Sequence, residues 1–292
     1  MSTGAQSETG GEAGDPALTK RYDRRSLTYA NTFDSPAAAT LIRGMEWVTG
    51  KISILRMIRA FERRGAPTGP AFWRAALDTM GIPLGTPEAQ IANIPAEGPL
   101  VVVANHPHGL VDGMILADLI GRRRNDYKIL SRALLSGLDA VAASYMIPVP
   151  FPHDPDRQRK SVEMRASAMA HLREGGAITL FPSGVVASSD TAFGPVIERE
   201  WHVFTAQMIR RAGAQVVPVR FSGANSRLYQ IANRISPTLR QGMLLHEVVR
   251  SCHAPQTPVV GAPIPAERMR MLEDDPRGFM AWLRAHTLSL EA

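Results

Sequence analysis

The stretch from Leu100 to Ile120 constrains this chain most. Leu100-Val101-Val102-Val103-Ala104 is a row of five apolar residues, three of them consecutive valines, and the polarity changes abruptly at Asn105. Such a run, with no polar alternation, predicts a short strand buried on both faces. Pro107 and Gly109 break the strand, and the apolar, good helix-forming run from Met114 to Ile120 places a helix start near Asp112. The result is a strand, a loop and a helix with ionisable groups at the carboxyl end of the strand, where open α/β sheets put their chemistry.

Those groups are His106, His108 and Asp112. Neutral imidazole is suited to taking a proton from a hydroxyl near neutral pH, but it needs a partner to fix its tautomer and steady the imidazolium. Asp112 can be that partner. Two other readings use the same residues. The histidines can be plain polar loop residues with Asp112 as a helix cap, or His-x-His plus Asp can ligate a metal. No second cluster of His, Cys or carboxylate stands out to complete a metal site, so no metal is expected.

The chain has 292 residues, 45% of them hydrophobic, and no internal repeat, so one large domain behind an arm is expected. The single cysteine, Cys252, excludes an internal disulfide and suits a reducing cytoplasm. The first thirty residues lack the apolar core of a secretory signal, and no uncharged apolar run is long enough for a spanning helix.

Charge is concentrated. Lys20 to Arg64 holds ten Lys or Arg against four acids, which matches the whole net charge of +6. Residues 1–17, rich in Gly, Ser, Thr and Glu, are expected to be a disordered tail. Residues 18–81 are read as a basic amphipathic helical arm. Ser35-Pro36 is a cap and first helical residue, and Leu41, Met45, Val48, Ile52, Leu55 and Ile58 follow at steps of three or four. Such a helix either packs on its own core or lies in the headgroup region of an anionic membrane, and both can hold at once. Because the charge is confined to this arm and no aromatic platform accompanies it, nucleic acid is not an expected partner.

Residues 82–292 are read as the α/β domain. Beyond the first helix, strands are expected at Lys128–Ser131, Met146–Phe151, Ala177–Phe181 and Ala214–Phe221, and helices at Ala133–Ser144, Ser161–Glu174, Trp201–Ala212 and Pro276–Leu290. The segments Ser222–Arg234 and Met243–Arg250 are expected to complete the sheet and its cover, with His246 on an apolar strand. The loop from Phe151 to Lys160 presents Arg157, Arg159 and Lys160, cations whose geometry suits phosphate or carboxylate oxygens. Pro182-Ser183-Gly184 follows the Ala177–Phe181 strand as a turn whose backbone N–H groups can face an anion.

Asn105-His106-Pro107-His108-Gly109-Leu110-Val111-Asp112-Gly113 resembles the first signature block of the glycerolipid acyltransferases, which include 1-acylglycerol-3-phosphate acyltransferase. The family usually leaves four residues between its His and Asp; here five separate His106 from Asp112. The longer spacing resembles the haemolysin-like and lyso-ornithine-lipid branch. Phe181-Pro182-Ser183-Gly184 resembles the third block, more often Phe-Pro-Glu-Gly, with Ser183 in place of the Glu. Val217-Pro218-Val219 resembles the fourth.

The resemblance implies an α/β fold with a mixed sheet flanked by helices, behind a helical membrane-docking arm. It implies His106 as the base, because it directly follows Asn, with Asp112 orienting it. Arg157 would hold an acceptor phosphate, with Arg159 and Lys160 beside it. Asn105, His108, Gly109, Pro182, Ser183 and Gly184 would line the substrates, with the turns at Gly109 and Gly184 offering N–H groups to the oxyanion.

The expected activity is transfer of a fatty acyl group from a thioester, acyl carrier protein or coenzyme A, to a lysolipid hydroxyl. Lyso-ornithine lipid and lysophosphatidic acid are the candidate acceptors. No bound cofactor is expected, and the chain would sit peripherally on the cytoplasmic face of the inner membrane. The alternatives are a lipid ester or thioester hydrolase using the same His-Asp pair, and a non-catalytic membrane-binding protein.

Overall fold

Val101, Val102 and Val103 have no exposed surface, and their alternation sets the layers of the molecule. Leu100, Val102 and Ala104 enter one apolar cluster, while Val101 and Val103 enter a second on the other face. A strand whose successive side chains point to opposite faces needs helices on both sides to bury five apolar residues.

The computed structural model describes residues 27–28, 30, 35–132, 139–151, 154 and 156–291. The expected tail 1–17 lies outside the described residues, as do Lys20, Arg21, Arg24 and Arg25 of the arm. The chain begins with α1 (Pro36–Glu46), a π-helical turn (Trp47–Lys51), α2 (Ile52–Arg63), α3 (Ala71–Thr79) and α4 (Glu88–Ile91). The central part runs β1 (Leu100–Ala104), α5 (Leu110–Gly121), β2 (Tyr127–Arg132), α6 (Ala140–Ser144), β3 (Met146–Val149), α7 (Arg157–Arg173) and β4 (Ala177–Leu180). It continues with β5 (Ser188–Ser189), β6 (Val196–Ile197), α8 (Val203–Ala212) and β7 (Gln215–Arg220). The remainder is α9 (Arg227–Ile235), α10 (Pro237–Gly242), α11 (Leu244–Ser251), β8 (Val259–Val260), α12 (Ala266–Met269), α13 (Met271–Asp274) and α14 (Pro276–Leu288).

The main sheet has the order β3-β2-β4-β1-β7-β8. Its pairs are parallel except β7 with β8, which is antiparallel, so the sheet is mixed as expected. Helices α3 and α5 cover one face with parts of α2 and α11; α7, α8 and α14 cover the other. The carboxyl ends of β1, β2, β4 and β7 therefore open on one edge.

Three expectations change. Helix α7 starts at Arg157, not Ser161, so Arg157, Arg159 and Lys160 form its first turn rather than a loop. Leu244–Ser251, expected in the sheet, is helix α11: Leu245, Val248 and Ser251 lie three residues apart and are buried, a helical spacing that outweighs the β-branched pair Val248-Val249. Helix α5 begins at Leu110, two residues before the expected start. Of the expected helix 133–144, residues 133–138 lie outside the described residues.

The arm packs along a different line from its most apolar stripe. Ala39, Ile42, Glu46, Gly50 and Ile54 are buried, whereas Leu41 is 52%, Val48 88% and Ile52 45% exposed. The buried line carries small residues, which let backbones approach: a Cβ on Gly50 would lie 2.8 Å from the carbonyl oxygen of Leu245 in α11. The π-helical turn widens the helix at that contact.

Candidate active site

Asn105 is the first residue beyond β1, and its amide acts as one more rung of the ladder to β7. Its Nδ2 donates to the Phe221 carbonyl at 2.9 Å, and Phe221 N–H donates to its Oδ1 at 2.7 Å. His106 is then held by its main chain at both ends. Its N–H donates to Glu198 Oε2 at 3.1 Å, and its carbonyl accepts from Ala187 N–H at 2.8 Å. Its ring lies flat on Phe181, centroids 3.7 Å apart and planes inclined by 16°.

Asp112 has no exposed surface. Its Oδ2 accepts from His106 Nδ1 at 3.0 Å, from the His108 N–H at 2.8 Å and from the Gly109 N–H at 3.1 Å. Its Oδ1 accepts from His108 Nδ1 at 2.9 Å. Burial works to raise the carboxyl pKa, but the hydrogen bonds from the two rings outweigh it and hold the group below the ordinary carboxylate value. An ionised carboxylate can only accept, so both imidazoles carry their proton on Nδ1 and leave Nε2 as the basic atom.

The local backbone explains how the loop closes so tightly. Gly109 has φ +85, a conformation that glycine adopts without strain, and this turn brings its N–H onto Asp112. Asp112 is thus the third residue of α5, capping the helix from inside its first turn and orienting His106 with the same carboxylate.

The third block stands beside this corner. Gly184 has φ +67, and its N–H donates to the Phe181 carbonyl at 2.9 Å. Of the two turns expected to offer N–H groups to an oxyanion, the N–H groups of Gly109 and Gly184 themselves are already taken, by Asp112 and the Phe181 carbonyl. Pro182 accepts from His202 N–H at 3.0 Å. Ser183 is buried, and its hydroxyl donates to the Val185 carbonyl at 3.0 Å, which turns it into its own loop.

Arg157, Arg159 and Lys160 stand apart. They follow β3, three strand positions from β1, or about 14 Å at the usual spacing. Arg157 is exposed. Arg159 pairs with Asp156 at 3.2 Å and Glu163 at 2.7 Å, and Lys160 with Asp154 at 3.6 Å.

Sequence reasoning missed Arg132 and Glu198. Arg132 ends β2, its Nη2 lies 3.3 Å from the Gly184 carbonyl, and its guanidinium lies 5.8 Å from the Phe151 ring centre. Its position at a strand's carboxyl end was the available signal. Glu198 is buried and also accepts from Trp201 Nε1 at 3.0 Å, while its carbonyl accepts from Arg284. Nothing local in the sequence marks it.

Residues 88–222 match the family model described as Acyltransferase, and that stretch contains the His-Asp corner, the Ser183 turn and Arg132. Over that stretch the chain is similar to the acyltransferase family. The chain is 30% identical over 183 residues to a lyso-glycine lipid O-acyltransferase of Bacteroides thetaiotaomicron, covering 60% of this chain and 64% of the relative. It is 26% identical over 182 residues to a lyso-glycine lipid O-acyltransferase of Phocaeicola vulgatus, covering 60% and 62% respectively. The chain thus spans just under two thirds of the length of these curated relatives. Among solved structures it is similar to the 1-acyl-sn-glycerophosphate acyltransferase PlsC of Thermotoga maritima, with a TM-score of 0.44 and 15% identity over 74% of this chain and 78% of that one.

Proposed function

We propose that the chain is an O-acyltransferase that moves a fatty acyl group from an acyl thioester to the hydroxyl of a lysolipid. The observation that carries this reading is the His106–Asp112 pair at the carboxyl end of β1, within the stretch that matches the acyltransferase family. His106 Nε2 takes the proton of the acceptor hydroxyl as its oxygen attacks the thioester carbonyl. The carbon–sulfur bond then breaks, and the imidazolium returns the proton to the departing thiolate. Asp112 keeps Nδ1 protonated and the ring oriented throughout, and steadies the imidazolium while it exists. Acyl carrier protein or coenzyme A supplies the thioester, and no covalent enzyme intermediate is needed.

The acceptor is a lysolipid with an amino-acid head group. Both curated relatives are named for a lyso-glycine lipid, and the loss of the usual carboxylate at Ser183 favours an acceptor other than lysophosphatidic acid; lyso-ornithine lipid belongs to the same chemical class. Arg132, hydrogen-bonded to Gly184 at the end of β2, would meet the anionic head group, one strand closer to β1 than the strand that leads to Arg157, Arg159 and Lys160.

The partner surface is an anionic membrane at its cytoplasmic face. Among the described residues no helix is long and apolar enough to cross a membrane. The arm presents Leu41, Trp47, Val48 and Ile52 outward among the exposed Arg43, Arg56, Arg59, Arg63 and Arg64, the pattern of a helix lying in the headgroup layer.

The test incubates the full chain with radiolabelled palmitoyl-coenzyme A or palmitoyl-acyl carrier protein and a panel of lyso-glycine, lyso-ornithine and lysophosphatidic lipids on anionic vesicles. Acceptor-dependent formation of an O-acylated lipid is expected. Free palmitate formed without an acceptor would assign a hydrolase, and vesicle binding without turnover of any pair would assign a binding protein.

A further inference from the structure

The proposed mechanism uses one imidazole, yet two share the Asp112 carboxylate. Oδ2 receives three donors: the His106 ring and the main-chain N–H groups of His108 and Gly109. Oδ1, in the same fully buried group, receives one among the described residues, the His108 ring. A carboxylate with one oxygen unpartnered away from water either turns to share the donors of the other or takes up a proton. Either response weakens its hold on His106.

The surroundings separate the two rings. The His106 side chain is 16% exposed and that of His108 9%. The Nε2 of His108 lies close beside Gly223: a Cβ built on that glycine would lie 3.0 Å from it. Gly223 has φ +92, which a glycine can hold while bringing its backbone this near. His106 instead has its ring face on Phe181 and its main chain fixed from two other segments, by Glu198 and Ala187.

We infer that His108 is a positioning residue: its Nδ1–H on Asp112 Oδ1 locks the carboxylate so that Oδ2 faces His106, and it takes no part in proton transfer. This rests on the reading of His106 as the base.

The experiment compares His108→Ala, His108→Asn and His106→Ala in the acyl-transfer assay, with thermal unfolding as the folding control. Asparagine keeps an N–H donor near the Nδ1 position and has no basic nitrogen. His108→Ala should lower kcat about 10- to 100-fold, the range typical of residues that orient a working ligand or base, with the acceptor KM nearly unchanged. His108→Asn should recover most of that loss. A folded His108→Asn as inactive as His108→Ala would overturn the inference, because the ring itself would be needed; so would full activity in His108→Ala.

If His106→Ala alone keeps its activity, the assignment of the base fails and the inference with it. If His106→Ala is inactive while His108→Ala is fully active, only the positioning role fails. Nitrogen-15 spectra of histidine-labelled wild-type protein give an answer that needs neither turnover nor variants. Both rings should be protonated on Nδ1 at neutral pH, and an Nε2-protonated His108 would overturn the inference.

Discussion

The His106–Asp112 corner and the first turn of α7 are both rich in ionisable residues, but they are built in opposite ways. At the corner, polar groups from distant segments converge: Glu198 on the N–H of His106, Ala187 on its carbonyl, Phe221 on Asn105. At the exposed start of α7, Arg159 is tied to Asp156 and Glu163, three and four residues away. The first arrangement holds a buried carboxylate ionised with four donors. The second is a solvated helix start whose pairs are screened by water. Convergence from far along the chain, more than density of charge, marks the site.

Four predictions press on this contrast. The largest effect belongs to the corner: His106→Ala and Asp112→Asn should each lower kcat by about 10²- to 10⁴-fold, the span of general acid–base catalysis, with the fold retained by circular dichroism. Turnover near the wild-type rate in either would move the base elsewhere.

Next comes the anion site. Arg132→Ala should raise the acceptor KM about 10- to 100-fold, as for a lost hydrogen bond to a charged group, and leave the donor KM alone. Arg157→Ala should change the acceptor KM far less. The reverse ranking in steady-state kinetics would return the head group to α7.

A smaller effect concerns acid. The Asp112 carboxyl is held below its ordinary value, so the unfolded chain binds more protons than the folded one as the pH drops. The stabilisation is complete above about pH 5 and is lost as the pH falls through the folded value. Unfolding midpoints followed from neutral pH into acid should therefore fall less steeply in Asp112→Asn than in wild type. Parallel slopes would mean that the two rings do not hold this proton off.

The smallest effect is at α7 itself. Arg159→Ala should leave both the unfolding midpoint and the kinetic constants unchanged. A clear fall in either would show that its two carboxylate partners do more than meet it in solvent.

The sequence made the strand at Leu100, the loop glycines and the His-Asp spacing readable because each depends on near neighbours. A run of valines needs cover on both faces wherever it occurs, and Asp112 reaches His106, His108 and Gly109 within six residues. The start of α7 was hidden because Asp154, Asp156 and three cations look like a solvated loop, while the i, i+4 pair of Arg159 and Glu163 supports a helix. Helix α11 was hidden by its apolar, β-branched middle. Glu198 could not be read at all, and Arg132 only from its place at the end of a strand: one meets His106 across 92 residues and the other meets Gly184 across 52, and only the order of strands brings them there. The arm was half legible. Its charge and amphipathic period were plain, but which side faces inward depends on where Ala39 and Gly50 allow close approach.

Gly50 has a consequence for reach. The missing methyl group lets the arm settle against the Leu245 carbonyl of α11, and Leu244 of the same helix lies beside Gly109. If the arm rests on lipid, this seam sets the height of the imidazole above the bilayer. A bulkier side chain at position 50 would lever the protein upward and alter how far an acceptor must rise to react, leaving every reacting atom as it was.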